Sequence, residues 1–171
     1  MSVHRSDGAV PHGKLLMDAT GALYGTTYQG GTGTCVDFGY SIIGGGIVYR
    51  LAPAAPGRDW TESIIHTFTG PDGAFPHGGL IMDSTGTLFG AASGGGPMSY
   101  GLVGGYGLVF KLAPPTVGLP YWTEKVLYTF DVGTTGTRPI GELVRDPAGR
   151  LFGVTNSGGP NYGGTVFEIT P

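Results

Sequence analysis

Short runs of alternating apolar and polar residues, separated by glycine-rich turns, recur along the chain. Lys14 to Met17, Gly79 to Met82 and Glu142 to Arg145 each run into a tight turn carrying Asp and Gly, and a second run then opens at Leu23, Leu88 or Leu151. Two such runs around a turn of this chemistry predict a β-hairpin. The Asp side chain can bond backbone amides two residues on, and the Gly supplies a positive φ without a Cβ clash. A third strand is predicted at Ile47 to Leu51, Leu108 to Leu112 and Thr165 to Ile169, closed within two residues by Pro53, Pro114 and Pro171. A fourth follows in two places, from Trp60-Thr61-Glu62 to Phe68 and from Trp122-Thr123-Glu124 to Phe130.

These elements belong to one unit written three times. Asp7 to Thr27 superimposes on Asp72 to Ala92 and on Thr135 to Thr155, matching Gly8, Gly73 and Gly136, then Pro11, Pro76 and Pro139, then Asp18, Asp83 and Asp146. The chain therefore reads as a single repeat domain over residues 1–171, with copies at 7–70, 71–132 and 133–171. Four strands per copy is the arithmetic of a propeller blade, a four-stranded antiparallel sheet whose faces stack on its neighbours. The expectation is an all-β fold of three four-stranded antiparallel blades. Closed propellers have at least about four blades, so three would form half of a six-bladed ring completed by a homodimer. A β-trefoil or β-prism also holds three copies of four strands and stays open as an alternative. The register puts Trp60 and Trp122 in equivalent places beside the fourth strand and predicts both largely buried.

Composition agrees with this reading and removes several classes of function. Glycine contributes 35 residues and proline 13, with only 12% of the chain charged, which is the usage of a turn-rich β protein. Hydrophobic residues reach 40% and interleave with the glycines, so the chain can build a core rather than stay disordered. A net charge of −3 and no Lys/Arg cluster exclude the electrostatic footprint of a nucleic-acid partner. The lone Cys35 forms no disulfide within the chain and reads as an incidental thiol. No run reaches the ~18 apolar residues of a membrane span, and Met1 to Gly8 carries no apolar leader core. The expectation is a soluble protein, cytoplasmic as given, with no membrane partner.

The stretch from Asp72-Gly73-Ala74-Phe75-Pro76-His77-Gly78-Gly79-Leu80-Ile81-Met82-Asp83, through Gly86 and Leu88-Phe89-Gly90, to Val109-Phe110-Lys111-Leu112 and Trp122-Thr123-Glu124 resembles the GloVer-type (choice-of-anchor) tandem repeat of bacterial surface and secreted proteins. The resemblance covers nearly the whole chain and implies β-propeller-like blades. It implies no common chemistry. The chain departs from that pattern in having three copies and no export signal.

In a propeller, the loop entering the innermost strand shares a face with the loop joining strands two and three. The entering loops carry Asp7, Pro11 and His12, then Asp72, Pro76 and His77, then Thr135, Arg138, Pro139 and Ile140. The second loops, 28–46, 93–107 and 156–164, hold Cys35, Asp37, Phe38, Tyr40, Met98, Tyr100, Tyr106, Asn161 and Tyr162 among glycines, a composition suited to a small-molecule or sugar pocket. One expectation is a small hydrolase of esters or lactones, for example an acyl-lactone. Asp7 and Asp72 would hold Ca²⁺ near the axis, His12 or His77 would act as general base, and Arg138 and Glu142, present only in the third copy, would complete one asymmetric catalytic set. The other expectation is a glycan- or surface-binding module without chemistry. Turn-forming aspartates and backbone-bonding loop histidines account for the same residues without either function.

Overall fold

The computed structural model describes residues 6–37, 40–55, 58–96, 105–131 and 133–171. The described elements are all β. The first copy contains β1 (Ala9–Pro11), β2 (Leu16–Met17), β3 (Leu23–Gln29), β4 (Thr34–Asp37), β5 (Tyr40–Ile43), β6 (Ile47–Ala52) and β7 (Thr61–Thr67). The second contains β8 (Ala74–Pro76), β9 (Ile81–Met82), β10 (Leu88–Gly94), β11 (Leu108–Ala113) and β12 (Thr123–Thr129), and the third β13 (Thr137–Arg145), β14 (Leu151–Ser157) and β15 (Val166–Ile169). No described helix is long and apolar enough to cross a membrane.

Each copy folds into its own antiparallel sheet. In the first, β1 and β2 both pair with β3, which pairs with β6 and then β7; in the second, β8 and β9 pair with β10, followed by β11 and β12. The inner strand is thus one line interrupted at Gly13 or Gly78, so each of these sheets has four strand positions. The third sheet is β13-β14-β15 alone, which corrects the expectation of three four-stranded sheets. An added hairpin, β4-β5, fills the second loop of the first copy. The sheets do not close into a ring.

The hairpin turns are the same three times over. Asp18, Asp83 and Asp146 each donate a backbone amide to residue i+4 at 2.9 to 3.0 Å and accept from Gly21, Gly86 or Gly149 at 3.0 Å. Those glycines sit at φ 84°, 82° and 91°, a region closed to most side chains. The Asp carboxylates add bonds to Thr20 and Ala22, to Thr85 and Thr87, and to Arg150. Their chemistry is local, as the sequence predicts.

The sheets stack face to face, and this decides which residues form the core. Leu88, Leu108, Phe110 and Leu112 of the middle sheet pack on Tyr24, Val48 and Phe68 of the first, while Phe89, Val109 and Phe130 turn the other way onto Leu143, Leu151 and Ile169 of the third. Period-two alternation with both faces covered explains why β10 and β11 are apolar nearly throughout. One aromatic pair recurs at both joints: Phe68 meets Phe110 edge-on at 5.1 Å and 67°, and Phe130 meets Phe167 at 5.0 Å and 65°. Along the inner strands the approach is closer still. A Cβ on Gly13 would strike the Gly78 carbonyl, and one on Gly78 would overlap the Gly141 carbonyl.

Trp122 joins the first core and meets Tyr24 edge-on, as its register requires. Trp60 does not follow it. Its indole is 48% exposed, because it lies on the face of the first sheet that points away from the second.

Candidate functional site

Pro11-His12 and Pro76-His77 end β1 and β8 at equivalent places, so stacking the two sheets brings the imidazoles together. Their ring centroids are 4.8 Å apart at 86°. Tyr28, near the end of β3, stacks on His12 at 5.8 Å and 26°, stands edge-on to His77 at 5.7 Å, and leans on Phe75 at 5.2 Å. Both imidazoles are exposed and Tyr28 is half-buried, whereas Phe75 is buried beneath them. The result is an aromatic shelf with polar edges, open to solvent across the first joint.

A strained backbone holds the shelf. Phe75 has φ 58°, and the equivalent Val10 and Arg138 have φ 60° and 56°. A left-handed conformation is costly for aromatic and β-branched residues and persists only where the surroundings enforce it. For two of them the preceding copy supplies a bond: the Phe75 amide donates to the Gly45 carbonyl at 2.6 Å, and the Arg138 amide to the Tyr106 carbonyl at 2.7 Å. Entering loops and second loops therefore share one face, as expected.

The remaining candidates are placed separately. Asp72 Oδ1 accepts the Thr69 amide and hydroxyl at 2.8 and 2.9 Å, while Oδ2 lies 3.1 Å from Nε2 of His66 on β7, out of line for a hydrogen bond. Burial opposes ionisation of Asp72, but the His66 and Thr69 interactions outweigh it and hold the carboxyl below the usual range. Glu142 pairs with Lys14 at 3.7 Å. Arg138 is exposed on β13, and Asp7 is exposed in the turn before β1. Tyr106 packs on the second core, and Asn161 and Tyr162 are exposed. Phe38, Met98 and Tyr100 lie outside the described residues, as do the side chains of Asp37 and Tyr40.

Calcium needs about six to eight oxygen ligands. Among the described residues no three His, Cys, Asp or Glu side chains converge on a point, and both Asp72 oxygens already face protein partners. Among the described residues, acidic, His and Cys side chains alone therefore supply no such set around Asp7 and Asp72. Cys35 is 1% exposed, and burial pushes its thiol up to about 11, which leaves it protonated and unreactive at neutral pH.

Two features escaped sequence reasoning. Tyr28 and Phe75 are apolar strand residues until the joint brings them beneath the histidines. Glu124, on β12 of the second sheet, is drawn into the field of His66 and Asp72: burial raises its carboxyl above the usual range and Asp72 adds to this, while His66 opposes it. Both depend on contacts between copies, which no local pattern records.

Residues 37–171 match the family described as the Gloeobacter/Verrucomicrobia repeat. The chain belongs to this family. The match spans the second and third copies whole and reaches back through β5, β6 and β7 of the first. No curated protein matches the chain. In this Gloeobacter/Verrucomicrobia repeat, the Asp/Gly turns and the Gly-x-x-Pro segments at Gly8, Gly73 and Gly136 are the shared frame, and the position held by His12 and His77 on the shelf is Ile140 in the third copy.

Proposed function

We propose that the chain is an arc of β-propeller blades whose shelf at the first joint binds carbohydrate without turning it over. The observation that carries this is the packing of His12, Tyr28 and His77, two exposed rings and one half-buried, over the buried Phe75. A sugar ring offers an apolar C–H face and a polar rim. Aromatic rings with polar tips complement both at once. The blade reading is supported by face-to-face stacking and by inner strands that approach through Gly13, Gly78 and Gly141. Two such arcs would make a six-bladed ring.

The test is calorimetric titration with a panel of neutral and acidic oligosaccharides. Saturable binding is expected, weakened at least tenfold, about 1.4 kcal/mol, by Tyr28→Ala or His77→Ala. The hydrolase expectation makes a different forecast: turnover of an ester or lactone, lost on chelation and on Asp72→Asn. Such turnover, or the absence of any saturable sugar binding, would overturn the binding reading.

A further inference from the structure

The chain builds the same joint twice, and each joint has two dissimilar sides. The forward side of the first sheet presents Tyr24, Val48 and Phe68, and the forward side of the second presents the equivalent Phe89, Val109 and Phe130. The rear side of the second sheet presents Leu80, Phe110 and Leu112, and that of the third Leu143, Phe167 and Ile169. Each of these positions has its equivalent on the same side of the neighbouring copy.

The two outermost faces carry the same positions uncovered. On the forward face of the third sheet, Val166 is 79% exposed and Val154 44%, although their equivalents Val109 and Ala91 are 0% and 4% exposed. On the rear face of the first sheet, Leu15 and Ile64 are each 47% exposed and Trp60 48%. Their equivalents Leu80, Val126 and Trp122 all pack in the first core. One end of the arc thus bears an unfilled forward side and the other an unfilled rear side.

The backbone repeats this. Val10 keeps the left-handed φ of Phe75 and Arg138, whose amides reach the preceding copy's second loop. Gly164, at φ 90°, keeps the conformation of Gly46 and Gly107, at φ 97° and 92°. Pro76 and Pro139 of the following copy pack where those last two glycines lack a Cβ.

We infer that two copies of this chain dock head to tail, the forward face of the third sheet of one against the rear face of the first sheet of the other. By equivalence, Trp60 of the second copy then stands edge-on to Phe152 as Trp122 stands to Tyr24, and the Val10 amide of the second copy meets the Gly163 carbonyl. A contact of this kind is heterologous, so it closes only if the rotation returns on itself. The inference rests on the propeller reading above and names the surfaces that complete it.

The test is the mass of the full chain by sedimentation equilibrium across micromolar concentrations. Wild type is expected to rise from 17.6 kDa toward twice that value. Val166→Lys blocks one face and Ile64→Lys the other, at side chains that are exposed within a single copy; circular dichroism should show both variants folded. Each alone is expected to stay monomeric, and an equimolar mixture to recover a dimer through its one intact pair of faces. A monomeric wild type, variants that still self-associate, or a mixture that stays monomeric would each overturn the inference. Sugar titration of monomeric Val166→Lys separates the two proposals, since the shelf lies within one copy: binding retained without association leaves the function standing, and association without binding leaves the docking standing.

Discussion

Lys14 and Glu142 occupy the same position in the first and third copies, and Lys14 Nζ lies 3.7 Å from Glu142 Oε2. Their middle equivalent is Gly79, where a Cβ would come within 2.8 Å of Glu142 Oε1 and 2.9 Å of the Lys14 carbonyl. The Lys14 side chain is 78% exposed, so the ion pair itself is worth about 0 to 1 kcal/mol. Its meaning is geometric. The inner strands of the first and third sheets converge closely enough for one lysine to reach across the second.

That convergence depends on missing side chains. Gly78→Ala would drive a methyl group into the Gly141 carbonyl, and backbone, unlike a side-chain tip, cannot rotate away. It should cost about 1 to 3 kcal/mol, the range for overpacking a well-packed interior. Gly118→Ala is the control, since nothing lies within 4 Å of a Cβ there and its φ is not left-handed. Urea denaturation of both should separate them, and equal stability would sink the close-approach account.

The two tryptophans should respond differently although they hold equivalent places. Trp122→Ala removes an aromatic side chain packed on the first core and should cost about 3 kcal/mol. Trp60→Ala should cost under about 1 kcal/mol in the monomer, as surface changes usually do. In the monomer, iodide should quench the Trp60 emission and leave most of the Trp122 emission intact.

Acid stability should come partly from the turn aspartates. Burial works against the Asp83 carboxylate, but the Thr85 and Thr87 hydrogen bonds outweigh it and hold the carboxyl below its usual range. A lowered folded-state value means that the unfolded chain binds the proton more readily, so this stability is present above about pH 4 and is lost as pH falls through the lowered value. Asp83→Asn should flatten the acid limb of a plot of Tm against pH. Glu124 has the opposite sign. Its raised carboxyl means that stability falls as pH climbs from the ordinary glutamate value to the raised one, and Glu124→Gln should remove that fall.

Cys35 should behave as a reporter of unfolding. Its thiol is buried, raised to about 11 by burial first and the Asp72 charge second, and 3.8 Å from the Phe68 carbonyl. Ellman's reagent should label it at the rate at which the β4-β5 hairpin opens away from Ala74 and Phe75, and not at the rate of a free thiol. Immediate labelling of native protein would contradict this environment.

Local chemistry along the chain determined the strands and their turns. The alternation in β3, β10 and β14, the Asp/Gly turns closing them, and the prolines ending β6 and β11 act over a few residues, and each was legible from its neighbours alone. The outer half of the inner strand was not, because Ala9–Pro11 and Ala74–Pro76 are short, proline-ended and centred on a left-handed residue, and the bond from the Phe75 amide to Gly45 comes from another copy. Nor was the β4-β5 hairpin, which lies inside the Gly-rich second loop of the first copy. The exposure of Trp60, the meeting of His12 with His77 and Tyr28, and the field around His66, Asp72 and Glu124 were decided by stacking. Trp60 and Trp122, Leu15 and Leu80, and Val166 and Val109 are identical side chains at equivalent positions, one of each pair open and the other covered, so the repeat pattern alone does not distinguish the two faces; only the arrangement of sheets in space assigns each face a neighbour or leaves it to water.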